Sequence, residues 1–279
     1  MSEPPAGPGQ IRLAGSLDGP DGAPVLVLGN SLGTSSAVWD RQVPVLRRHF
    51  RLLRYDWPGH GASAGAPSPA APYSIAGLGA GVLALLDSHG IDQAAYAGIS
   101  LGGMIGMWLA ANAPHRIRVL GLLCTSAYLP PESSWRDRAA QVRAGGMSAI
   151  STQVVARWLT AEYAAREPGV RAALLDVLER IDPEGYAGCC DALAELDLRS
   201  SLGAIAAPTL VIAGAEDPAT PPPHGARIVA GIKARPGGRS AGARLLVVRG
   251  AAHLANISAA AEVSVALLNH LRAVYDCGQ

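Results

Sequence analysis

Six short apolar runs occur along this chain of 279 residues, and stretches with the spacing of amphipathic helices lie between most of them. The runs are continuous rather than alternating, which is typical of parallel strands buried on both faces of a sheet. Strands that alternate with helices predict a mostly parallel, doubly wound α/β sheet. The predicted strands are residues 25–28, 51–55, 94–97, 119–124, 209–213 and 245–248, and the predicted core helices are 36–47, 74–89, 101–113 and 258–274.

The alternation stops between residues 130 and 200, where we find no apolar run of the strand type. Charged helical patterns follow one another there, at 134–144, 150–159, 170–180 and 184–196. We interpret residues 130–200 as a helical cap, inserted between two strands of a core domain that consists of residues 1–129 and 201–279. A cleft between cap and sheet is a favourable place for a ligand.

The composition excludes several classes of protein. Basic and acidic residues nearly balance, at 23 and 22, so the chain lacks the basic surplus of a nucleic-acid-binding protein. Lys233 is the single lysine, which leaves little for Schiff-base chemistry or for a phosphate-binding Gly-Lys-Ser loop. Four cysteines occur without a Cys-x-x-Cys pair, so we expect reduced thiols, no metal and no cofactor.

Two segments bear on where the protein resides. Residues 1–10 are rich in proline and glycine and lack a basic region followed by an apolar stretch, so we predict no secretory signal and expect a cytoplasmic protein. Residues 93–114 carry no charged side chain and no histidine, as a transmembrane helix would. Their polar residues and glycines, and the strand pattern of their first half, argue against a span, so we expect no membrane association.

A Gly-x-Ser-x-Gly pentapeptide stands at residues 98–102, and a second copy stands at 238–242 around Ser240. A nucleophilic serine in such a motif lies on a tight turn between a strand and a helix, where glycines leave room for the backbone. The first copy has a predicted strand before it and a helical pattern after it, whereas the second lies in a low-complexity loop at 234–243. We therefore predict Ser100 as the nucleophile and treat Ser240 as a chance match.

A serine needs a base to take its proton, and behind such a turn the partners follow in the order acid, then histidine. His253 alone among the later histidines follows a predicted strand. The acid should follow the preceding strand, where Glu216 and Asp217 both stand. We favour Asp217, because its Asp-Pro step begins a turn that can hold the side chain, and Glu216 remains an alternative. His60, in an earlier turn, is expected to be a hydrogen-bonded structural histidine.

Acyl transfer also needs hydrogen-bond donors for the negative charge that develops on the carbonyl oxygen. We predict the backbone N–H of Leu101, directly after the serine, as one donor of this oxyanion hole. The second is expected from the glycine-flanked turn at 29–33, with Ser31 preferred and Leu32 as the alternative. We also count Leu32 among the substrate-binding residues.

Beyond these patterns, several short strings occur along the chain: Gly-Asn-Ser-Leu-Gly-Thr (29–34), Gly-His-Gly (59–61), Trp-x-x-Arg (135–138), Arg-Trp (157–158), Gly-Tyr-Ala-Gly-Cys-Cys (185–190), Asp-Leu-Arg (197–199), Asp-Pro-Ala-Thr-Pro-Pro (217–222) and Ala-His-Leu-Ala-Asn-Ile (252–257). In these strings the chain resembles the 3-oxoadipate enol-lactonases of the α/β-hydrolase superfamily, from about residue 11 to residue 271. The Gly-x-Ser-x-Gly turn marks only the superfamily, whereas the strings between 135 and 199 in the cap, and those at 217–222 and 252–257, are more specific. Two features depart from the family: Pro58 stands where an arginine is usual, and the loop at 234–243 is longer.

The resemblance implies an α/β-hydrolase fold and a serine hydrolase that acts through an acyl-enzyme. Its substrate would be the small lactone 3-oxoadipate enol-lactone, an intermediate of the β-ketoadipate pathway of aromatic catabolism. Two other interpretations stay open: a different carboxylesterase or lactonase of the superfamily, and a ligand receptor that keeps the scaffold without turnover. The oligomeric state does not follow from the sequence.

An enol-lactone of this class carries a free carboxylate, which needs a cation or hydrogen-bond donors once it leaves water. Trp135 and Arg138 lie three residues apart near the start of the first predicted cap helix, and therefore on one face of it. We expect this pair to bind the substrate with an indole and a guanidinium. Arg157 and Trp158 are the alternative pair.

Overall fold

The computed structural model describes residues 11–65, 72–234 and 242–276. Ser240 and most of the 234–243 loop lie outside the described residues, so the predictions for them stay as they are. Cys277 lies outside them as well.

Seven strands form one sheet in the order β1-β3-β2-β4-β5-β6-β7. Only β1 runs antiparallel to its neighbour, β3, and the other pairs are parallel. The predicted mostly parallel sheet is confirmed, and each of the six predicted strands overlaps an observed one. The strands are β1 (Gly15–Asp18), β2 (Val25–Gly29), β3 (Arg51–Tyr55), β4 (Ala94–Ile99), β5 (Ile117–Leu123), β6 (Thr209–Gly214) and β7 (Ala243–Val248).

Strand β1 was not predicted, because its four residues, Gly-Ser-Leu-Asp, form no apolar run. It lies at the edge of the sheet and is largely exposed, so it needs only one hydrogen-bonding neighbour and little apolar surface.

Helices cover both faces of the sheet and also form the insertion. In chain order they are α1 (Val43–Leu46), α2 (Ile75–Ser88), α3 (Leu101–Asn112), α4 (Glu132–Gly145), α5 (Ser151–Trp158), α6 (Ala161–Arg166), α7 (Pro168–Glu179), α8 (Pro183–Ala194), α9 (Pro222–Lys233), α10 (Ala255–Ser258) and α11 (Ala260–Asp276).

Two adjacent residues of β5 show that the sheet is wound on both faces. Leu120 packs at Gly106 of α3, and the next residue, Gly121, faces Leu267 of α11. Because successive side chains of a strand point to opposite faces, α3 and α11 lie on opposite sides of the sheet.

Some helix predictions were wrong. Residues 36–47 do not form one helix but a 3-10 turn, Ser36–Trp39, followed by the short α1, because Pro44 has no N–H for the hydrogen bond that a continuous helix needs. Helix α9 was missed because its prolines were read as a loop signal, although Pro222 and Pro223 stand in the first turn, where a helix tolerates them. The six-residue α6 was also missed.

Helices α4 to α8 lie between β5 and β6, which confirms a helical cap inserted between two strands. Arg143 on α4 joins α8 through ion pairs with Glu184 at 3.1 Å and Asp191 at 2.7 Å. Where the chain enters and leaves the cap, Leu198 N–H donates to the carbonyl of Ala127 at 2.8 Å. The division of the chain at residues 130 and 200 stays a prediction.

Residues 93–114, which have the composition of a membrane span, are divided between β4 and α3. None of the helices in the described ranges is long and apolar enough to cross a bilayer.

The turn between β4 and α3 brings two backbones unusually close. A Cβ atom on Gly98 would collide with the backbone of Gly102, and one on Gly102 would collide with the carbonyl of Gly29 at the end of β2. The N–H of Gly102 donates to the carbonyl of Asn30 at 2.9 Å. Glycine is therefore required sterically at both positions, and the contact sets the turn beside the loop after β2.

We expect Gly102→Ala to lower the free energy of unfolding by about 1–3 kcal/mol, because the added methyl group meets backbone atoms that cannot rotate away. The matched control is Gly169→Ala, also near the start of a helix, where a Cβ would meet nothing within 4 Å. That variant should be neutral or gain up to about 1 kcal/mol. Urea unfolding of both variants checks this, and equal effects would contradict the steric argument.

Candidate active site

Ser100 lies at the tip of the turn between β4 and α3 with φ of 55°, in the left-handed region that residues other than glycine rarely adopt. Its N–H donates to the carbonyl of Leu123 at 2.9 Å, and its own carbonyl accepts from the hydroxyl of Thr125 at 2.7 Å. These contacts with β5 and the residues after it hold the strained backbone in place. The hydroxyl of Ser100 is thereby presented at the carboxyl edge of the sheet.

The structure brings Ser100, His253 and Asp217 into one hydrogen-bonded chain. His253 Nε2 lies 2.9 Å from Ser100 Oγ, and His253 Nδ1 lies 2.8 Å from Asp217 Oδ2. Because the ionised carboxylate can only accept, Nδ1 carries the proton, and Nε2 is free to accept from the serine hydroxyl. This arrangement can activate the serine as a nucleophile.

Asp217 is the acid that contacts the histidine, whereas its neighbour Glu216 is exposed. Burial by itself would raise the pKa of Asp217. The charge of His253 and the hydrogen bonds from His253 and Thr220 outweigh burial and lower this pKa from 3.8 to about 2. The carboxylate therefore stays ionised through the neutral pH range and can stabilise a protonated imidazole.

The cap contributes to the position of His253. Leu254, the next residue, donates its N–H to the carbonyl of Trp158 at the end of α5, at 2.9 Å. Arg41 adds a second link, since its guanidinium donates to the hydroxyl of Tyr163 on α6 and to the carbonyl of Ile257, both at 2.9 Å. The loop that carries the histidine is thus fastened to two cap helices.

The predicted oxyanion-hole residues lie where two backbone segments meet. Leu101 is the first residue of α3, so its N–H has no acceptor inside the helix. In the loop after β2, the N–H groups of Gly33 and Thr34 are occupied, by His60 Nε2 at 3.1 Å and by the carbonyl of Ser31 at 3.2 Å. Ser31 and Leu32 both line the cavity at Ser100, so both predicted donors of this loop remain candidates.

His60 holds this loop. Its Nε2 accepts from Gly33, so Nδ1 carries the proton and donates to the carbonyl of Pro58 at 2.8 Å. Burial lowers the pKa of His60 to about 4, which keeps the ring neutral and preserves this pattern of donor and acceptor. His60 is therefore a hydrogen-bonded structural histidine, as expected from the sequence.

Pro58 stands where the family usually has an arginine, and the loop that carries it packs against the cap. The backbone of Pro58 packs so closely against Gly185 of α8 that a Cβ there would collide with the Pro58 carbonyl. Gly59 accepts from Asp182 N–H, just before α8, at 2.9 Å. The loop therefore contacts the cap through backbone atoms.

A cavity of about 400 Å³ opens at Ser100 and His253, between the sheet edge and the cap. The predicted substrate-binding residues Leu32, Trp135 and Arg138 line it, and so does the alternative pair Arg157 and Trp158. Other residues of the lining were not predicted from the sequence: Met104, Leu129, Pro130, Pro131, Ser134, Val154, Tyr186, Leu193, Pro218, Ala219 and Thr220.

The charged side chains that line this cavity are positive. The described residues that line it include two arginines and no carboxylate. Arg138 lies over the ring of Trp135, with its guanidinium carbon 4.7 Å from the ring centroid, and the exposed Arg157 has no carboxylate partner within the described ranges. The cavity is thus suited to a small anionic molecule with apolar parts.

Thr220 is a residue of the site that contacts Asp217 directly and was not predicted from the sequence. Its hydroxyl donates to Asp217 Oδ2 at 2.7 Å, and its side chain is buried at the cavity. The signal was present in the Asp-x-x-Thr spacing, because a threonine three residues after an aspartate can return to its carboxylate in a turn. Within the described residues no group of three or more His, Cys, Asp and Glu side chains is placed to hold a metal ion.

Comparison with known proteins agrees with the fold. Residues 24–153 match the family described as alpha/beta hydrolase fold. The enol-lactonase structure from Burkholderia xenovorans LB400 superposes with a TM-score of 0.87 at 39% identity, over 93% of this chain and 96% of that one. The chain belongs to the α/β-hydrolase family and is a hydrolase of this family.

Within that family, the resemblance to 3-oxoadipate enol-lactonases is confirmed. The 3-oxoadipate enol-lactonase 2 of Acinetobacter baylyi is 41% identical over 197 residues, which are 71% of this chain and 73% of the relative. A protein of Klebsiella pneumoniae whose name designates a carbamate hydrolase, RutD, is 32% identical over 200 residues, 70% of this chain and 74% of that protein.

The low pKa of Asp217 predicts how the free energy of unfolding depends on pH. A carboxyl group whose pKa is lower in the folded state than in the unfolded state stabilises the fold at any pH above the unfolded-state pKa. This stabilisation is lost as the pH falls toward the folded-state pKa. From pKa values of 3.8 and about 2, the ionised group contributes about 2 kcal/mol near pH 7 and progressively less between about pH 4 and pH 2.

We therefore expect Asp217→Asn to be less stable than the original chain at pH 7 and this difference to narrow at about pH 3. Denaturant unfolding at the two pH values measures it. Glu216→Gln is the control, since the exposed neighbour should change stability little at either pH. A difference for Asp217→Asn that does not vary with pH would contradict the cause given for the shift.

Proposed function

We propose that this hydrolase opens the ring of 3-oxoadipate enol-lactone to give 3-oxoadipate. One observation carries the proposal: a single cavity joins the Ser100–His253–Asp217 chain to two arginines and has no carboxylate among its described lining residues. The relatives named for this reaction add support.

In the first step Ser100 Oγ attacks the carbonyl carbon of the lactone while its proton passes to His253 Nε2. The carbonyl oxygen becomes negatively charged and receives hydrogen bonds from the N–H of Leu101 and from the Ser31 region. The ring C–O bond then breaks, and His253 returns the proton to the departing enol oxygen. The enol stays attached to the acyl chain and becomes a ketone by tautomerisation, which disfavours reclosure of the ring.

In the second step water replaces the enol oxygen as the partner of His253. His253 takes a proton from the water, and the hydroxide attacks the ester carbonyl that Ser100 now carries. Collapse of this intermediate returns the proton to Ser100 Oγ and frees the second carboxylate of the product. Asp217 remains ionised throughout and holds Nδ1–H of the imidazole.

Recognition of the substrate is assigned to the cap. The free carboxylate of the lactone loses water when it enters the cavity, and this is favourable only if charged donors replace the water. Arg138, half-buried and stacked on Trp135, offers such a donor inside the cavity, and Arg157 offers a second, exposed one. The ring of the lactone would contact Trp135 and Leu32.

We further propose that the protein is cytoplasmic and that residues 130–200 are its cap domain.

We expect Ser100→Ala to remove nearly all turnover of the enol-lactone, because Ser100 Oγ is the hydroxyl that lies 2.9 Å from His253 Nε2 and can lose its proton to it. Loss of absorbance of freshly prepared enol-lactone measures turnover, and circular dichroism checks the fold. Ser88→Ala, at the end of α2 and away from the cavity, is the matched control and should keep full activity. Wild-type turnover by the Ser100 variant would exclude the mechanism.

We also expect Arg138→Met and Trp135→Ala to lower kcat/KM for the carboxylate-bearing lactone at least about 10-fold more than for a neutral p-nitrophenyl ester. Methionine preserves the apolar stem of the arginine and removes its charge and its hydrogen-bond donors. Arg180→Met, exposed directly after α7 and paired with Asp176, is the control and should affect neither substrate. Equal losses on both substrates would assign Trp135 and Arg138 to packing of the cap.

The similarity to the relative named as a carbamate hydrolase supports a second candidate, another ester or carbamate hydrolase of the family. Such an enzyme would share the triad and differ in what its cap binds. Higher kcat/KM for neutral esters or carbamates than for the enol-lactone would favour it. Binding of the lactone without turnover would favour a receptor instead.

A further inference from the structure

The carboxylate of Asp217 accepts four hydrogen bonds, two on each oxygen, and the two oxygens differ in the type of donor. Oδ1 accepts from two backbone N–H groups, of Ala219 at 2.8 Å and of Thr220 at 3.1 Å. Oδ2 accepts from two side chains, the hydroxyl of Thr220 at 2.7 Å and His253 Nδ1 at 2.8 Å. Apart from His253 itself, the Thr220 hydroxyl is therefore the one donor that the structure gives to Oδ2.

This matters because an aspartate carboxylate rotates easily about its last side-chain bond, where the preferred angles are broad. Donors on one oxygen leave the plane of the group free to turn, whereas donors on both oxygens fix it. On Oδ2 the hydroxyl of Thr220 supplies a restraint that does not depend on His253, the residue that this oxygen orients. It also lies 3.4 Å from His253 Nδ1 and is therefore next to the hydrogen bond between His253 and Asp217.

Thr220 is itself well held. It is buried, and its backbone N–H is bonded to the same aspartate as its hydroxyl, so main chain and side chain form a closed turn around the carboxylate. Its exposed fraction is 2%, and it lines the cavity next to His253. A side chain with so little freedom transmits its own position to Asp217.

We propose that Thr220 is a positioning residue of the hydrolytic reaction, whose hydroxyl orients Asp217 Oδ2 and through it the imidazole of His253. The inference rests on the proposed serine mechanism but not on the identity of the ester. Thr220 does not touch the reacting atoms. Its hydroxyl acts on the steps in which His253 accepts and returns a proton, so it affects kcat more than KM.

The test compares Thr220→Val with Thr220→Ser. Valine has the shape of threonine and keeps the backbone N–H but lacks the hydroxyl, whereas serine keeps the hydroxyl and loses a methyl group. We expect Thr220→Val to lower kcat for the enol-lactone and for p-nitrophenyl acetate about 10- to 100-fold, with KM changed less than about 3-fold. Thr220→Ser should retain at least about a third of the original kcat.

Thr209→Val is the matched control. Thr209 is also buried, and its hydroxyl donates to the carbonyl of Ala207 at 2.8 Å, but it stands at the opposite end of β6 from the site. This variant loses one buried hydrogen bond as Thr220→Val does, and should keep its kcat. A comparable fall of kcat in Thr209→Val would show that general destabilisation explains the effect and would overturn the proposal.

A second measurement does not depend on any substrate. A proton shared between an imidazole Nδ1 and a carboxylate gives a far-downfield proton NMR signal, which Asp217→Asn should abolish and so assign. We expect Thr220→Val to shift or broaden this signal and Thr220→Ser to preserve it. An unchanged signal and an unchanged kcat in Thr220→Val would refute the role of Thr220.

The two measurements separate this inference from the proposed function. If the original chain does not turn over the enol-lactone but the signal and the ester kinetics respond as expected, the assigned substrate is wrong and the role of Thr220 stands. If the enol-lactone is turned over and Thr220→Val matches the original chain, the proposed function stands and the role of Thr220 falls.

Discussion

The close approach of the turn after β4 to the loop after β2 is the constraint on which the site depends. It exists because Gly98 and Gly102 carry no side chains, so that the N–H of Gly102 can reach the carbonyl of Asn30 at 2.9 Å. Ser100 lies between these two glycines with a left-handed backbone, at the tip of the turn. The same contact also sets the N–H of Leu101 beside the loop that carries Ser31. One packing contact between two neighbouring parallel strands thus places the nucleophile together with the donors proposed to stabilise its reaction.

Negative and positive side chains lie at opposite ends of the site. At the back lies a buried, fully hydrogen-bonded carboxylate, Asp217, whose pKa of about 2 keeps it ionised, and its charge is directed at His253. At the front lie the arginines of the cap, of which Arg138 is backed by an aromatic ring rather than by a carboxylate. A substrate anion can therefore approach the cap without repulsion from the lining. In the proposed reaction the core supplies the chemistry and the cap supplies recognition, and the hydrogen bond from Leu254 to the carbonyl of Trp158 joins the two.

Much of this could be predicted from sequence because the relevant signals are local. Continuous apolar runs marked six of the seven strands, and a serine between a strand and a helical pattern marked the turn at Ser100. The failures arose where local pattern and tertiary context disagree. Strand β1 has no apolar run because it lies at an exposed edge, and α9 begins with prolines that usually signal a loop. The stretch 36–47 has helical spacing, yet the proline inside it breaks the helix.

By itself the sequence determined the alternation of six strands with helices, the turn at Ser100 and the short list of candidate partners, since each depends on residues close together in the chain. The Asp-Pro step favoured Asp217 over Glu216 but could not exclude Glu216, because only packing buries one of these adjacent residues and exposes the other. Nor could the sequence show that cap arginines face the nucleophile. The Asp-x-x-Thr spacing indicated that Thr220 can reach Asp217, but it could not show that the threonine hydroxyl meets the same oxygen as His253, a residue that follows another strand. Distances between segments far apart in sequence are set by the fold, and catalysis depends on those distances.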